Sequence, residues 1–123
     1  MSRYFSYSGD PMLACPCCHK RGMDNGFLLL LDSLRDKVGP LIVTSGYRCE
    51  DYNDSISSTG RHGSHTLGRA ADLKCTSSSQ RYAILKAAVD LQILRVGIAK
   101  TYIHVDNCDN QNDGFPDNVA WVY

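Results

Sequence analysis

The sequence predicts an α+β fold: a small, largely antiparallel sheet packed with helices. Three observations lead there. Two segments carry apolar residues at helical spacing. Four short segments carry β-branched or alternating apolar residues. The order of these segments mixes the two types without a regular strand–helix alternation, which disfavours a parallel α/β sheet. The chain has 123 residues, the size of one domain with one core, so 1–123 is expected to fold as a single unit.

The elements follow in order. Asp24 or Asn25 can cap a helix whose residues Phe27, Leu30, Leu31 and Leu34 share one face. Gly39-Pro40 ends it. Leu41 to Thr44 reads as a buried strand, and Ser45-Gly46 turns the chain. Residues 49–69 are rich in Ser, Asp, Asn and Gly, which predicts a long functional loop with one helical turn near Glu50 to Asn53. Ala70 to Lys74 is the next strand. Ser77 to Ser79 cap a second helix, with Tyr82, Leu85, Ala88 and Val89 expected inward. Leu94 to Ala99 and Tyr102 to Asn107 form two strands around a tight turn at Lys100-Thr101. Asn107 to Asn118 is polar, and Val119 to Tyr123 forms a last short strand.

Charge narrows the function. Lys plus Arg and Asp plus Glu number 13 each, so no net field draws the chain to nucleic acid or to an anionic membrane. The longest apolar run is Phe27 to Leu31, far short of a membrane span. The polar segment from Met1 to Pro11 does not read as a secretory signal. A monomer made in the cytoplasm is expected, with no nucleic-acid or membrane partner.

Six cysteines stand at positions 15, 17, 18, 49, 75 and 108. Cys15-x-Cys17-Cys18-His19 resembles half of a zinc site, but no second ligand pair follows at compact spacing. The cysteines are read as packing or disulfide residues, and a bridge involving Cys49 or Cys75 near the functional loop is expected.

The chemistry concentrates in Gly63-Ser64-His65-Thr66-Leu67-Gly68-Arg69-Ala70-Ala71-Asp72. A glycine-flanked bend followed by a strand can bring His65 and Asp72 to one point, with Gly68, Ala70 and Ala71 allowing close backbone approach. His104, in the strand Tyr102-Ile103-His104-Val105-Asp106, supplies a second imidazole. Two histidines and one carboxylate form a three-ligand zinc set that leaves a position open for water. The competing reading is that these histidines are satisfied polar residues without a metal.

The segment Ser45-Gly46-Tyr47-Arg48, the block running from Ser64-His65 through Gly68 and Ala70 to Asp72, and the His104-x-Asp106 strand together resemble the zinc D-Ala-D-Ala carboxypeptidase family. That family lies in the wider group joining lysostaphin, D-Ala-D-Ala metallopeptidases and the hedgehog signalling domain. The likeness runs from about Leu41 to Asp106, and Trp121 fits one small-domain branch. It implies a hedgehog/D-Ala-D-Ala-peptidase-like fold with a single zinc site held by His65, Asp72 and His104. It implies that Arg48 binds a substrate carboxylate or a developing oxyanion. Ser64 would orient the loop or contact substrate, and Asn53 would line the same cleft.

Relatives carry the general base as an acid three positions before the last histidine ligand or as a histidine two before it. Those positions hold Thr101 and Tyr102 here. Asp106 shares the strand face of His104 and is the candidate base. Its alternative role is to orient a histidine. His62 is a further candidate.

The resemblance implies a carboxypeptidase or endopeptidase acting on peptidoglycan stem peptides, reaching the wall by a phage or prophage route such as an endolysin or virion enzyme. The alternative is a catalytically inactive zinc-binding recognition module of the same fold.

Overall fold

A computed structural model describes residues 2–123, Met1 lying outside the described residues. Five strands, β1 (Val43–Ser45), β2 (Ala70–Lys74), β3 (Arg95–Ile98), β4 (Tyr102–Asp106) and β5 (Val119–Val122), form one sheet in the order β1-β2-β4-β3-β5. All neighbours run antiparallel except β3 and β5, which are parallel. Helices α1 (Asn25–Val38) and α3 (Ser78–Asp90) pack against each other. The short helices α2 (Glu50–Ile56) and α4 (Asn110–Asp113) lie in the connections. The α+β expectation holds.

Strand alternation divides the sheet into two faces. Ala71 and Leu73 of β2, Val96 of β3, and Ile103 and Val105 of β4 enter the core. There they meet Phe27, Leu28, Leu31 and Leu34 of α1 and Ile84, Ala87 and Ala88 of α3. The intervening residues Asp72, His104 and Gly97 occupy the other face, and the register aligns them: Asp72 opposite His104, His104 opposite Gly97, Gly97 opposite Trp121. One row across four strands therefore carries the polar chemistry.

Helix α1 starts where its sequence indicates. The Asp24 carboxylate accepts from the Phe27 N–H at 2.9 Å, a side-chain N-cap. Gly39, at φ 87°, closes the other end. Asp32, buried on α1, accepts from Ser2 Oγ at 2.7 Å and from the Arg3 N–H at 2.9 Å. These bonds pin the N-terminal segment to the helix.

Three expectations need correction. Ala88 is buried and Leu85 partly so, as expected, but Tyr82 and Val89 are 69% and 74% exposed, and Ile84 and Ala87 complete the buried face of α3. Both faces carry apolar residues, so periodicity alone does not choose between them. The segment Leu41 to Thr44 is not buried throughout, because β1 is an edge strand: Leu41 and Val43 point inward, while Ile42 is exposed. Residues 49–69 contain more helix than one turn, namely α2 and a 3-10 turn at Ser64–Leu67.

Candidate active site

β1 and β2 are joined with a register irregularity between Val43 and Ser45, which sets Val43 opposite Leu73 and Ser45 opposite Asp72. This bulge aims Ser45 at the polar face rather than the core. Ser45 Oγ accepts from Arg48 Nε at 3.0 Å. Arg48 Nη1 donates to Asn53 Oδ1 at 3.1 Å, and Nη2 to Asp72 Oδ2 at 3.3 Å. Asn53, fully buried on α2, donates through Nδ2 to Thr59 Oγ1 at 2.8 Å and to the Gly60 carbonyl at 2.6 Å. The guanidinium is thus fixed on three sides before any substrate arrives.

His65 sits in the 3-10 turn between Gly63 and Gly68. Gly68 has φ 70°, and a Cβ there would lie 1.9 Å from the Gly22 carbonyl oxygen, so the turn packs against the N-terminal segment only with glycine. The ring of His65 is buried, with Nδ1 2.7 Å from the Gly46 carbonyl. Since a carbonyl only accepts, Nδ1 carries the proton, leaving the Nε2 lone pair aimed at Asp72 Oδ1, 3.4 Å away. His104 uses the opposite arrangement. Its Nε2 lies 2.6 Å from Asp106 Oδ2, and its Nδ1 lies 3.1 Å from Asp72 Oδ1.

Donor atoms of His65, Asp72 and His104 all come within 4.8 Å of one another. Each histidine has its other nitrogen engaged by an oxygen acceptor, the support that fixes a metal-ligating tautomer. Two imidazole nitrogens and a carboxylate oxygen suit zinc and leave further coordination positions open. The donor set fits the metal.

The electrostatics agree. Burial alone would raise the Asp72 carboxyl, but the adjacent imidazoles of His104 and His65 outweigh it and hold the group well below the usual carboxylate range. Burial lowers His65, and Asp72 only partly offsets this. For His104 burial also acts downward, yet the bonds to Asp106 and Asp72 win and raise it. The two carboxylates flanking this imidazole favour its protonated form.

A cleft of about 860 Å³ opens over this row. Arg48, Ser64, His65, Asp72 and His104 line it. Asp106 does not: it is fully buried behind the His104 ring, accepting from Arg95 Nε at 2.8 Å and from the Cys108 N–H at 3.1 Å. Its shared strand face with His104 is real, but the imidazole stands between it and the cleft. Ser64 Oγ lies 3.4 Å from His104 Nε2. His62 is exposed beside Glu50, 3.4 Å from it, and does not line this cleft.

Several residues around the cleft carry no site role in the sequence reading. Arg95 lies over the Trp121 ring at 5.1 Å while bonding Asp106. Tyr102 and Tyr123 pack with ring centroids 5.4 Å apart and planes tilted by 46°, beside Trp121, which is 5.4 Å from the His104 ring. Gly97 makes room for the indole, since a Cβ there would meet Trp121 Nε1 at 2.7 Å. The period-two positions 95 and 97 held the available signal, but their pairing with β4 and β5 is not local.

A family model for peptidase M15 matches residues 4–106. The chain belongs to the peptidase M15 family. Membership makes it a metallopeptidase-type hydrolase of a zinc-dependent family, in agreement with the donor set at His65, Asp72 and His104. No curated protein matches the chain, and no solved structure does. The M15 match ends at Asp106, the last residue of β4, so β5 with Trp121 and the following Tyr123 lie beyond it. No helix among the described residues is long and apolar enough to cross a membrane.

Proposed function

We propose that this M15 member is a zinc peptidase hydrolysing peptidoglycan stem peptides, as carboxypeptidase or endopeptidase, with His65 Nε2, a carboxylate oxygen of Asp72 and His104 Nδ1 holding the metal. The observation that carries the reading is the convergence of those three donors at the floor of a cleft. Zinc bound there supplies Lewis acidity and activates water near neutral pH.

The chain's own residues do the rest. Arg48, already oriented by Ser45 and Asn53, offers a fixed cation to the oxygen of a scissile carbonyl or to a terminal carboxylate. Asp106 orients His104 and selects its tautomer; it is a positioning residue and takes no proton from the cleft. Ser64 stands at the rim beside His104 and contacts the substrate backbone. Tyr102, Trp121 and Tyr123 form an aromatic wall that seats an aliphatic peptide and narrows the access of water. A cell-wall target reached by a phage or prophage route fits this reading.

A second reading, a zinc-holding recognition module without turnover, is favoured by one observation: Asp72 is the only carboxylate among the described residues that line the cleft. One experiment separates the two. The protein is purified without chelators, its zinc is quantified, and peptidoglycan fragments are followed by mass spectrometry beside a His65→Ala, Asp72→Ala double variant. Cleavage lost in the variant supports the peptidase, and the released mass names the bond. Zinc bound at this site without cleavage of any fragment supports the recognition module. A double variant that binds as much zinc as the parent overturns both.

A further inference from the structure

Four cysteines gather beside the Arg48 loop, away from the cleft. Cys15 and Cys18 belong to the N-terminal segment, and Cys49 follows Arg48 directly as the N-cap of α2. The thiols of Cys15, Cys18 and Cys49 lie within 4.8 Å of one another, and all three are free. Cys17, next to Cys18 in the chain, is exposed and free.

Backbone N–H groups reach two of these sulfurs. Cys15 Sγ accepts from the Cys49 N–H at 3.4 Å. Cys49 Sγ accepts from the Tyr52 N–H at 3.4 Å. Amide donors converging on sulfur stabilise negative charge there, the outer support that metal-bound thiolates require. The turn itself has the matching shape. The His19 N–H reaches the Cys15 carbonyl at 2.8 Å, and the Cys15 N–H reaches the Lys20 carbonyl at 3.0 Å. His19 takes a left-handed φ of 62° just after Cys18, folding the chain back so that two cysteines three positions apart face one point.

We propose that Cys15, Cys18 and Cys49 form a second, structural zinc site separate from the catalytic cleft, the neighbouring exposed Cys17 being available for the fourth position. Soft thiolate ligands with no histidine or carboxylate select a zinc-class cation over magnesium or calcium. A disulfide is the competing use, but a bridge between any two of the three clustered thiols leaves the third packed against it. The second ligand set that compact spacing lacks is supplied by Cys49, 34 positions from Cys15. The site staples the N-terminal segment to the loop that carries Arg48. That junction also carries two backbone bonds, Gly46 N–H to the Met12 carbonyl at 2.8 Å and Tyr47 N–H to the Leu13 carbonyl at 3.1 Å, and Lys20 over the Tyr47 ring. The expected single zinc site would then be one of two.

The test is metal content and cobalt spectroscopy of protein made in a reducing cytosol. The intact protein should carry about two zinc per chain and, after cobalt exchange, show a thiolate-to-cobalt charge-transfer band. The His65→Ala, Asp72→Ala variant should keep that band, whereas Cys18→Ser and Cys49→Ser should lose it together with one equivalent of zinc. Should the cysteine variants fail to fold, the unsubstituted protein still decides. Maleimide labelling of Cys15, Cys18 and Cys49 should be slow before chelation and at least about tenfold faster after it. No thiolate band in the intact protein, labelling indifferent to chelator, or a Cys15–Cys49 or Cys18–Cys49 bridge in the mass spectrum would each overturn the proposal.

Discussion

Replacing Asp106 by asparagine tests the assignment of that residue most sharply. The two carboxylate oxygens have separate duties: Oδ1 accepts from Arg95 Nε and the Cys108 N–H, and Oδ2 accepts from His104 Nε2 alone. An asparagine keeps its amide oxygen where two donors need it, which turns its NH₂ toward His104. Two N–H groups then face each other at the 2.6 Å position. The imidazole relieves this by moving its proton to Nδ1, the nitrogen that faces Asp72 and would bind metal. Metal binding must reverse that shift and forgo a charge-assisted hydrogen bond of about 1.5–3 kcal/mol. At about 1.4 kcal/mol per tenfold, zinc affinity should fall about 10- to 100-fold. Competition against a chromophoric chelator at neutral pH measures it, in both Asp106→Asn and the parent. A cleft-facing general base predicts the opposite pattern, unchanged zinc affinity with abolished turnover. Affinity within about twofold of the parent would refute the positioning role of Asp106.

Other expectations follow from the same geometry. Lowering the pH should weaken zinc binding at the cleft, because His104, raised above its ordinary 6.5 by Asp106 and Asp72 against the effect of burial, must lose a proton to ligate. Affinity should rise about tenfold per pH unit up to that raised pKa and then level off, and isothermal titration in buffers of different ionisation enthalpy should detect the released proton. Gly97→Ala places a methyl 2.7 Å from Trp121 Nε1, so a loss of about 1–3 kcal/mol in denaturant unfolding is expected, with a shift in tryptophan fluorescence. Arg48→Lys keeps the charge but not the fork that reaches Ser45, Asn53 and Asp72. Its kcat/KM should drop about 10²–10³-fold while zinc content is unchanged; an undiminished rate would remove Arg48 from the machinery. Cys108, buried and pushed up to about 11 by burial and then by Asp106, should resist alkylation near neutral pH in the folded protein and react once unfolded.

Much of this molecule could be read along the chain. The α+β class, the extent of α1 with its Asp24 cap, and the strand pair around Lys100-Thr101 follow from local spacing and capping chemistry, which operate within a few residues. The residues of the candidate metal set, His65, Asp72 and His104, were visible for the same reason: Gly63 and Gly68 mark the turn, and alternation puts His104 on a defined strand face. Where two local solutions were equally good, local reading failed. Helix α3 has apolar residues on two sides, and only packing against α1 and the sheet buried Ile84 and Ala87 instead of Tyr82 and Val89.

What sequence determined by itself was which residues are the candidates for chemistry and which strand face each occupies, because those are matters of residue type and backbone period. The tertiary structure alone decided what each group faces. It put Asp106 behind the His104 ring and not in front of it, since Arg95 and the Cys108 amide draw that carboxylate inward. It set the Cys49 thiol within 4.8 Å of those of Cys15 and Cys18. It also set Trp121 over Gly97 through a parallel pairing of β5 with β3. Each of these depends on register between segments far apart in the chain, and no local propensity encodes that register.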